Sequence, residues 1–275
     1  MTPEDLFHGL PKGRLVCRAH TLIYCRKCYV DFTFTRAPRL FRRPDDCTHM
    51  RSNNLSCLKE VHIFLSQPAR TGTVRRRSSR VLPTRFKPPT PNTTPLEVFR
   101  ADHSRFRFCR YVNRNDSTQG LIFTDGACLD NGRAYAHAGW GRLEIQGPFG
   151  DEGAQTSNRA ELRAVIAALN FRHWPGEGFK SLVFATDSEY VAEGATEWVK
   201  KWLINGWRTS FGAPVKNQDL WEALLGEVER MKEEGLKVQF WRIGREFNTE
   251  ADLLAKEGAM ESAPEVFTRQ FGIIC

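Results

Sequence analysis

The chain has 275 residues, 41% hydrophobic and 11% aromatic, with a formal net charge of +8. That is enough apolar material for a packed core in one or two domains, and no run approaches the ~18 apolar residues of a membrane span. The opening Met-Thr-Pro-Glu-Asp-Leu-Phe lacks a charged region leading into an apolar one, so no secretory signal is read.

An intracellular protein, nuclear or cytoplasmic and without membrane contact, is therefore expected. Charge divides along the chain. Through residue 115 there are 23 Lys+Arg against 8 Asp+Glu; beyond it there are 17 against 24. A basic N-terminal part can hold a polyanion such as nucleic acid, or be a solvated linker. Eight cysteines in an intracellular chain point to free thiols or metal ligands before disulfides.

Residues 14–34 carry Cys17, His20, Cys25 and Cys28 in the pattern C-x2-H-x4-C-x2-C. Tetrahedral zinc takes four sulfur or nitrogen ligands, and pairs spaced by two residues commonly supply two each. One structural Zn²⁺ is expected here, with buried unligated thiols as the alternative. Cys47, His49, Cys57 and His62 follow at looser spacing, which suits ordinary side chains better than a second site. Residues 66–95 set Arg75, Arg76, Arg77 and Arg80 among Ser and Thr, then run into a Pro/Thr-rich stretch. With few apolar residues and no period, this reads as a disordered basic linker. The arginines suit a nuclear-import or nucleic-acid patch, or a solvated linker.

From residue 121 the pattern becomes regular. Residues 121–128, Leu-Ile-Phe-Thr-Asp-Gly-Ala-Cys, read as an apolar strand delivering Asp125 just before a glycine. Asp-Gly also suits a hairpin turn, but Asp130-Asn131-Gly132 supplies a turn five residues on. Strands are expected at 135–145 and 148–152. A helix follows over 159–171, capped by Ser157 or Asn158. A buried strand at 180–186 ends on Asp187; helices over 188–203 and 217–234, a strand at 236–243 and a helix over 249–260 complete the series. The order β-β-β-α-β-α-α-β-α predicts a mixed sheet flanked by helices.

Asp125 and Asp187 each close an apolar strand with Thr-Asp, while Glu161 and Asp252 sit on first turns of helices. Each alone is an ordinary cap or turn acid. Together they predict four carboxylates at one sheet edge, which need a cation to coexist. All-oxygen ligation suits Mg²⁺ or Mn²⁺ rather than zinc. Two such ions ~3.5–4 Å apart activate a water and stabilise the leaving oxygen of a phosphodiester.

Thr124-Asp125-Gly126, Ser157-Asn158-Arg159-Ala160-Glu161-Leu162, Thr186-Asp187-Ser188 and Asn248-Thr249-Glu250-Ala251-Asp252 resemble, in order and spacing, the four motif blocks of the type 1 ribonuclease H family. The resemblance covers residues 119–260. It implies the ribonuclease H-like α/β fold, a five-stranded mixed sheet flanked by helices. It also implies Mg²⁺-dependent cleavage of the RNA strand of RNA–DNA hybrids, leaving 3′-hydroxyl and 5′-phosphate ends. Asp125, Glu161, Asp187 and Asp252 would then be the catalytic ligands of two Mg²⁺ or Mn²⁺ ions. Residues 197–221 resemble the family's basic protrusion, with Lys200, Lys201, Arg208 and Lys216 for phosphates and Trp207 for a sugar. Trp198, Trp202 and Trp221 have the helical spacing of core residues. Asn131, Ser157 and Asn158 match positions that read 2′-hydroxyls and bases, and Thr156 and Asn217 a phosphate pocket.

Two departures stand out. The loop before Asp252, Gly244-Arg245-Glu246-Phe247-Asn248, lacks the histidine that many members carry, and Glu189 occupies a usually neutral position. The expected organisation is a Cys/His-rich zinc module at 10–62, a basic linker at 63–115, the ribonuclease H domain at 116–262 and a tail at 263–275. The expected function is a hybrid-specific endoribonuclease; the alternative is a weakly active or non-catalytic nucleic-acid-binding protein on the same fold.

Overall fold

The computed structural model describes residues 7–10, 14–17, 24–25, 30–31, 74–78, 81–102, 110–129, 137–139, 145–260 and 265–269. Two compact units divide the chain, one comprising Met1–Leu65 with Gly272–Cys275, the other Ser66–Phe271. In the first, β1 (Phe7–Leu10) pairs antiparallel with β2 (Arg14–Cys17), and β3 (Tyr24–Cys25) with β4 (Val30–Asp31). Cys17 ends β2 and Cys25 ends β3. His20 and Cys28, and all of Cys47, His49, Cys57 and His62, lie outside the described residues.

The second unit is built on one sheet. Its first elements are β5 (Thr84–Arg85), α1 (Pro95–Val98), β6 (Phe99–Asp102), β7 (Arg110–Asn113) and β8 (Gln119–Phe123). A short ribbon, β9 (Ala127–Leu129) with β10 (His137–Gly139), precedes α2 (Ser157–Phe171) and β11 (Ser181–Thr186). Then come α3 (Glu189–Glu193), a π-helical turn (Gly194–Trp198), α4 (Val199–Ile204), α5 (Gln218–Glu233), β12 (Lys237–Arg242) and α6 (Thr249–Ala259). The sheet order is β5-β12-β11-β8-β7-β6. The central strands β8, β11 and β12 run parallel, β5 joins parallel to β12, and β7 and β6 add antiparallel. The expected α/β mixed sheet with flanking helices is present, with six strands among the described residues rather than the expected five.

The strand β11 shows why the sheet needs two covers. It is a nearly continuous apolar run, Ser-Leu-Val-Phe-Ala-Thr, buried after its first residue, as a central parallel strand must be. Its alternate residues part between two cores. Leu182 and Phe184 join Leu162, Ile166 and Leu169 of α2 and Trp221 and Leu224 of α5. Val183 and Ala185 face the other way, onto Phe99, Leu121, Trp241 and Ile243. Phe86, Val98 and Tyr111 complete that second core; Phe86 sits 4.9 Å from Trp241 and 5.9 Å from Phe99, ring centre to ring centre.

Those residues come from the stretch expected to be a linker. The structure differs here for a physical reason. Sparse apolar side chains at Phe86, Val98, Phe99 and Tyr111 pack with Leu121, Val183, Ala185 and Trp241 on this sheet face. β8 is therefore flanked by β11 on one side and on the other by β7, which β6 extends. Of the strands expected at 135–145 and 148–152, the described residues show only β10, paired with β9, and an isolated bridge from Gln146 to Glu152. Part of the expected tail is also built in: Phe267 lies 4.1 Å from the buried Arg163 guanidinium, and Arg269 pairs with buried Glu227.

Local signals explain the helices. Thr156 rather than Ser157 caps α2, its hydroxyl accepting from Arg159 N at 3.3 Å. Ser188 caps α3 in the same way, accepting from Val191 N at 3.2 Å. Asn217 opens α5 from the left-handed region, φ 59°, which asparagine tolerates. The expected single helix over 188–203 is interrupted by the π-helical turn. No described helix is long and apolar enough to cross a membrane.

Phe99 is fully buried at the seam of the second core. Phe99→Ala should lower the unfolding free energy by about 3–5 kcal/mol, read from urea denaturation. A loss under about 1 kcal/mol would show that residues 86–111 are not an integral cover of the sheet.

Candidate active site

The parallel register of β8 and β11 brings two acids level. Phe123 faces Ala185, and Asp125 and Asp187 each lie two residues further along. The connection continues past the named strands: Thr124 N donates to Ala185 O at 2.9 Å. Between β8 and β9 the chain passes tightly against α2. A Cβ at Gly126 would overlap the backbone of Ala160 and Glu161. Only glycine fits that approach, and it sets Asp125 beside the N-terminal part of α2, where Glu161 begins the second turn. The last acid, Asp252, lies on the first turn of α6.

Partners orient all four, Glu161 through a hydrogen bond with Ser188. Asp125 Oδ1 accepts from Gly126 N at 2.7 Å. Asp187 Oδ1 accepts from Asn248 Nδ2 at 2.8 Å, and its Oδ2 from Arg245 Nε at 2.9 Å. Asn248 is buried and also donates to Thr124 O at 3.1 Å. It thus ties the Asp187 carboxylate to the end of the neighbouring strand. Asp252 pairs with Lys256 one turn on, at 2.6 Å. The Arg245 side chain is 91% exposed, so it reaches Asp187 from solvent.

The electrostatics are those of crowded, poorly hydrated acids. Burial, chiefly, raises the Asp125 pKa to about 6; Asp187 and Asp252 add to the rise, while the Gly126 N–H opposes it. Burial likewise raises Glu161 to about 7, with Asp125 and Asp187 adding and a hydrogen bond with Ser188 opposing. Glu161 Oε2 is buried without a hydrogen-bond partner. Among the described residues, no three His, Cys, Asp or Glu side chains converge as a ready-made metal cluster. Asp125 feels the charges of Asp187 and Asp252, and Glu161 those of Asp125 and Asp187, while Arg245 and Lys256 pair with Asp187 and Asp252. A hard divalent cation fits this donor set. It takes oxygen ligands only, and the orphaned Glu161 oxygen and the dehydrated Asp125 are what such an ion would satisfy.

The described members of the expected substrate-binding set lie at the start of α2 and from α4 to the start of α5. Thr156, Ser157 and Asn158 open α2, and Asn158 is exposed. Asn217 is linked to that helix through buried Arg159, whose guanidinium lies 3.5 Å from Asn217 Oδ1 and 2.7–2.8 Å from Asp219. Lys200, Lys201, Arg208 and Lys216 are exposed on α4 and the segment after it. Lys200 pairs with Glu197 at 3.2 Å, and Arg208 donates to Gly212 O at 2.8 Å. Half-buried Trp207 stands 6.4 Å from Trp202, which stacks 6.0 Å from Trp198 and 5.4 Å from Trp221. Trp221 is core as expected; Trp198 and Trp202 are partly buried. Asn131 lies outside the described residues. Glu189 has Arg242 at 3.0 Å, which offsets its charge.

Sequence reasoning missed Asn248, Ser188 and Tyr190. The Tyr190 hydroxyl receives hydrogen bonds from Asn217 Nδ2 and Trp221 Nε1 and donates to Lys216 O, at 3.0–3.2 Å. It fixes the start of α5 against α3. Asn248 was within a quoted motif, but its role depends on a strand end 124 residues away.

The raised carboxyls make a stability prediction. Between the ordinary Glu161 pKa of 4.5 and its folded value of about 7, the folded state keeps a proton that the unfolded chain has released. Stability contributed by this group therefore falls as pH rises through that window. Glu161→Gln removes the fall. Without divalent cations, the variant should match the parent at pH 4 and exceed it at pH 8 by on the order of 2 kcal/mol. Urea titrations in chelator measure this; parallel pH profiles would contradict it.

The RNase H family model matches residues 117–260. The chain is 44% identical over 143 residues to the ribonuclease H of Herminiimonas arsenicoxydans, spanning 50% of this chain and 92% of that protein. It is 43% identical over 148 residues to that of Janthinobacterium sp. (strain Marseille), 52% of this chain and 96% of the relative. With the ribonuclease H of Hahella chejuensis the identity is 42% over 154 residues, 52% and 95% of the two chains. A family match over half the chain, and relatives matched along nearly their whole length, establish that this chain belongs to the RNase H family, as a ribonuclease H enzyme with the α/β ribonuclease H-like fold.

Proposed function

We propose that the chain is a type 1 ribonuclease H: an endonuclease that hydrolyses the RNA strand of RNA–DNA hybrids, leaving 3′-hydroxyl and 5′-phosphate ends. What supports this reading is the electrostatic coupling of Asp125 to Asp187 and Asp252, and of Glu161 to Asp125 and Asp187. Buried carboxylates so placed repel one another unless a cation is held between them. In this reading the four acids would hold two Mg²⁺ or Mn²⁺ ions, whose chemistry when bound would be to activate water and stabilise a leaving oxygen.

The chain's own groups supply the rest. Asn248 holds the Asp187 carboxylate in its rotamer, and the Ser188 hydroxyl does the same for Glu161. Arg245 must swing away from Asp187 when the site is loaded, which its exposure permits. Asn131, Ser157 and Asn158 read 2′-hydroxyls and thereby choose RNA for cleavage. Thr156 and Asn217 seat a phosphate of the DNA strand at two helix N-termini, where backbone N–H groups favour anions. Lys200, Lys201, Arg208 and Lys216 contact phosphates, and Trp207 offers a flat apolar face. The basic N-terminal part adds a second, less specific hold on nucleic acid.

A labelled RNA–DNA hybrid should be cut with Mg²⁺ and left intact in EDTA, whereas RNA–RNA and DNA–DNA duplexes should survive both. Outer-shell partners of metal ligands are worth ~10–100-fold. Asn248→Ala should fall in that range, and Asp125→Asn should exceed it while leaving hybrid binding in place. Cleavage by Asp125→Asn at the parent rate would end the assignment.

Within residues 10–62, Cys17, His20, Cys25 and Cys28 would hold one structural Zn²⁺. Purified full-length protein should carry about one equivalent of zinc, lost in Cys25→Ser. Folded protein without zinc would refute this.

A further inference from the structure

Residues 74–78, Val-Arg-Arg-Arg-Ser, lie along α5 as a strap. Its backbone meets the helix at Gly226, where a Cβ would overlap the Arg75 carbonyl. Arg75 bonds Glu233 at 2.6 and 2.7 Å, and Arg76 bonds Glu222. These are surface pairs: the Arg76 and Glu233 side chains are each 56% exposed. Pairs of that kind hold a segment weakly. The anchor is at Ser78. Its N–H and its hydroxyl both donate to the Glu229 carboxylate, at 2.8 and 2.7 Å. Glu229 is buried, whereas Ser78 is exposed.

We propose that Ser78 is a phosphorylation site, and that a phosphoryl group on it opens the strap. Three guanidinium groups directly precede the hydroxyl. They suit a serine kinase whose peptide groove is lined with carboxylates, the same chemistry that α5 presents through Glu222, Glu229 and Glu233. The γ-phosphoryl of a nucleoside triphosphate passes to Ser78 Oγ. An O–P bond forms, the β–γ anhydride bond breaks, the hydroxyl proton leaves to the kinase base, and the nucleoside diphosphate departs.

The modified side chain cannot keep its place. It has lost the proton that it donated to Glu229, and it sets nearly two negative charges beside a buried carboxylate. Turning toward Arg75 offers no way to keep the strap. Arg75 Nη2 lies 3.5 Å from Ser78 Oγ, and a phosphoryl group that captured it would draw it from Glu233 and Glu229. Both routes detach the strap from α5. The effect reaches further through Arg76, which lies 3.7 Å over the Phe149 ring. Phe149 belongs to the 145–153 loop, which packs on the Arg159 guanidinium at Gly147 and Gly153.

The test uses the full-length chain with Ser79→Ala, because Ser79 also follows two arginines. The chain is treated with an arginine-directed serine kinase and ATP, and the product is mapped by mass spectrometry. Amide hydrogen exchange is then followed across residues 74–78. The expected result is phosphate on Ser78 and exchange at least ~10-fold faster in the strap than before treatment, with Ser78→Ala taking no label there and showing the same exchange before and after kinase treatment. Ser78→Asp should speed exchange without kinase. No label on Ser78 in the folded chain, or a phosphorylated chain whose strap exchanges as slowly as before, overturns the proposal.

Discussion

The site depends on one contact without slack. At Gly126 the chain leaving β8 touches the backbone of Ala160 and Glu161 with no room for a side chain. A strand end and a helix start are thereby locked together, and each carries an acid. Any residue with a Cβ would push α2 off the sheet by more than the tolerance that a metal or a phosphodiester allows. The same helix buries Leu162, Val165, Ile166 and Leu169 against the sheet. The apolar packing that drives folding therefore also sets the separation between Asp125 and Glu161.

That placement has an electrostatic cost, visible in the raised pKa values of Asp125 and Glu161. The fold tolerates it because the acids arrive on four rigid elements whose stability comes from elsewhere. The arrangement offsets part of the cost internally. Arg245 faces Asp187, Lys256 faces Asp252, and Asn248 supplies a neutral donor. The exposed, weakly held cations are the ones placed to yield to a divalent ion, whereas buried Asn248 bonds two neighbours and is placed to stay.

Much of this was legible in the sequence because it is written locally. Apolar runs ending in Thr-Asp announce β8 and β11, and the amphipathic pattern announces α2 and α5. Four acids after strands or on first turns announce the site. What was not legible depends on distant partners. Phe86, Phe99 and Tyr111 look like stray aromatics in a basic, proline-rich stretch; only the uncovered face of β11 gives them a purpose. The two-residue strand β5 has no periodicity to read. Arg75 and Arg76 form a charge run whose partners are 158 and 146 residues away. Thr156 displaced Ser157 as a cap because either hydroxyl can accept from a nearby N–H, and only the backbone path decides between them.

The split of charge along the chain also takes on a different meaning. A region carrying 24 acids against 17 bases seems ill suited to meeting a polyanion. Its acids are largely met from within. Arg75 and Arg76 meet Glu233 and Glu222, Arg85 meets Glu193, and Arg269 with Arg230 meets the buried Glu227. Several of these bases come from the strongly basic N-terminal part, so a share of that part is consumed by the fold. What remains outward along residues 200–216 is a row of exposed lysines and an arginine. If that row meets a phosphate backbone, as proposed, covering the acidic face of α5 with Arg75 and Arg76 removes opposing charge from the field a substrate would meet.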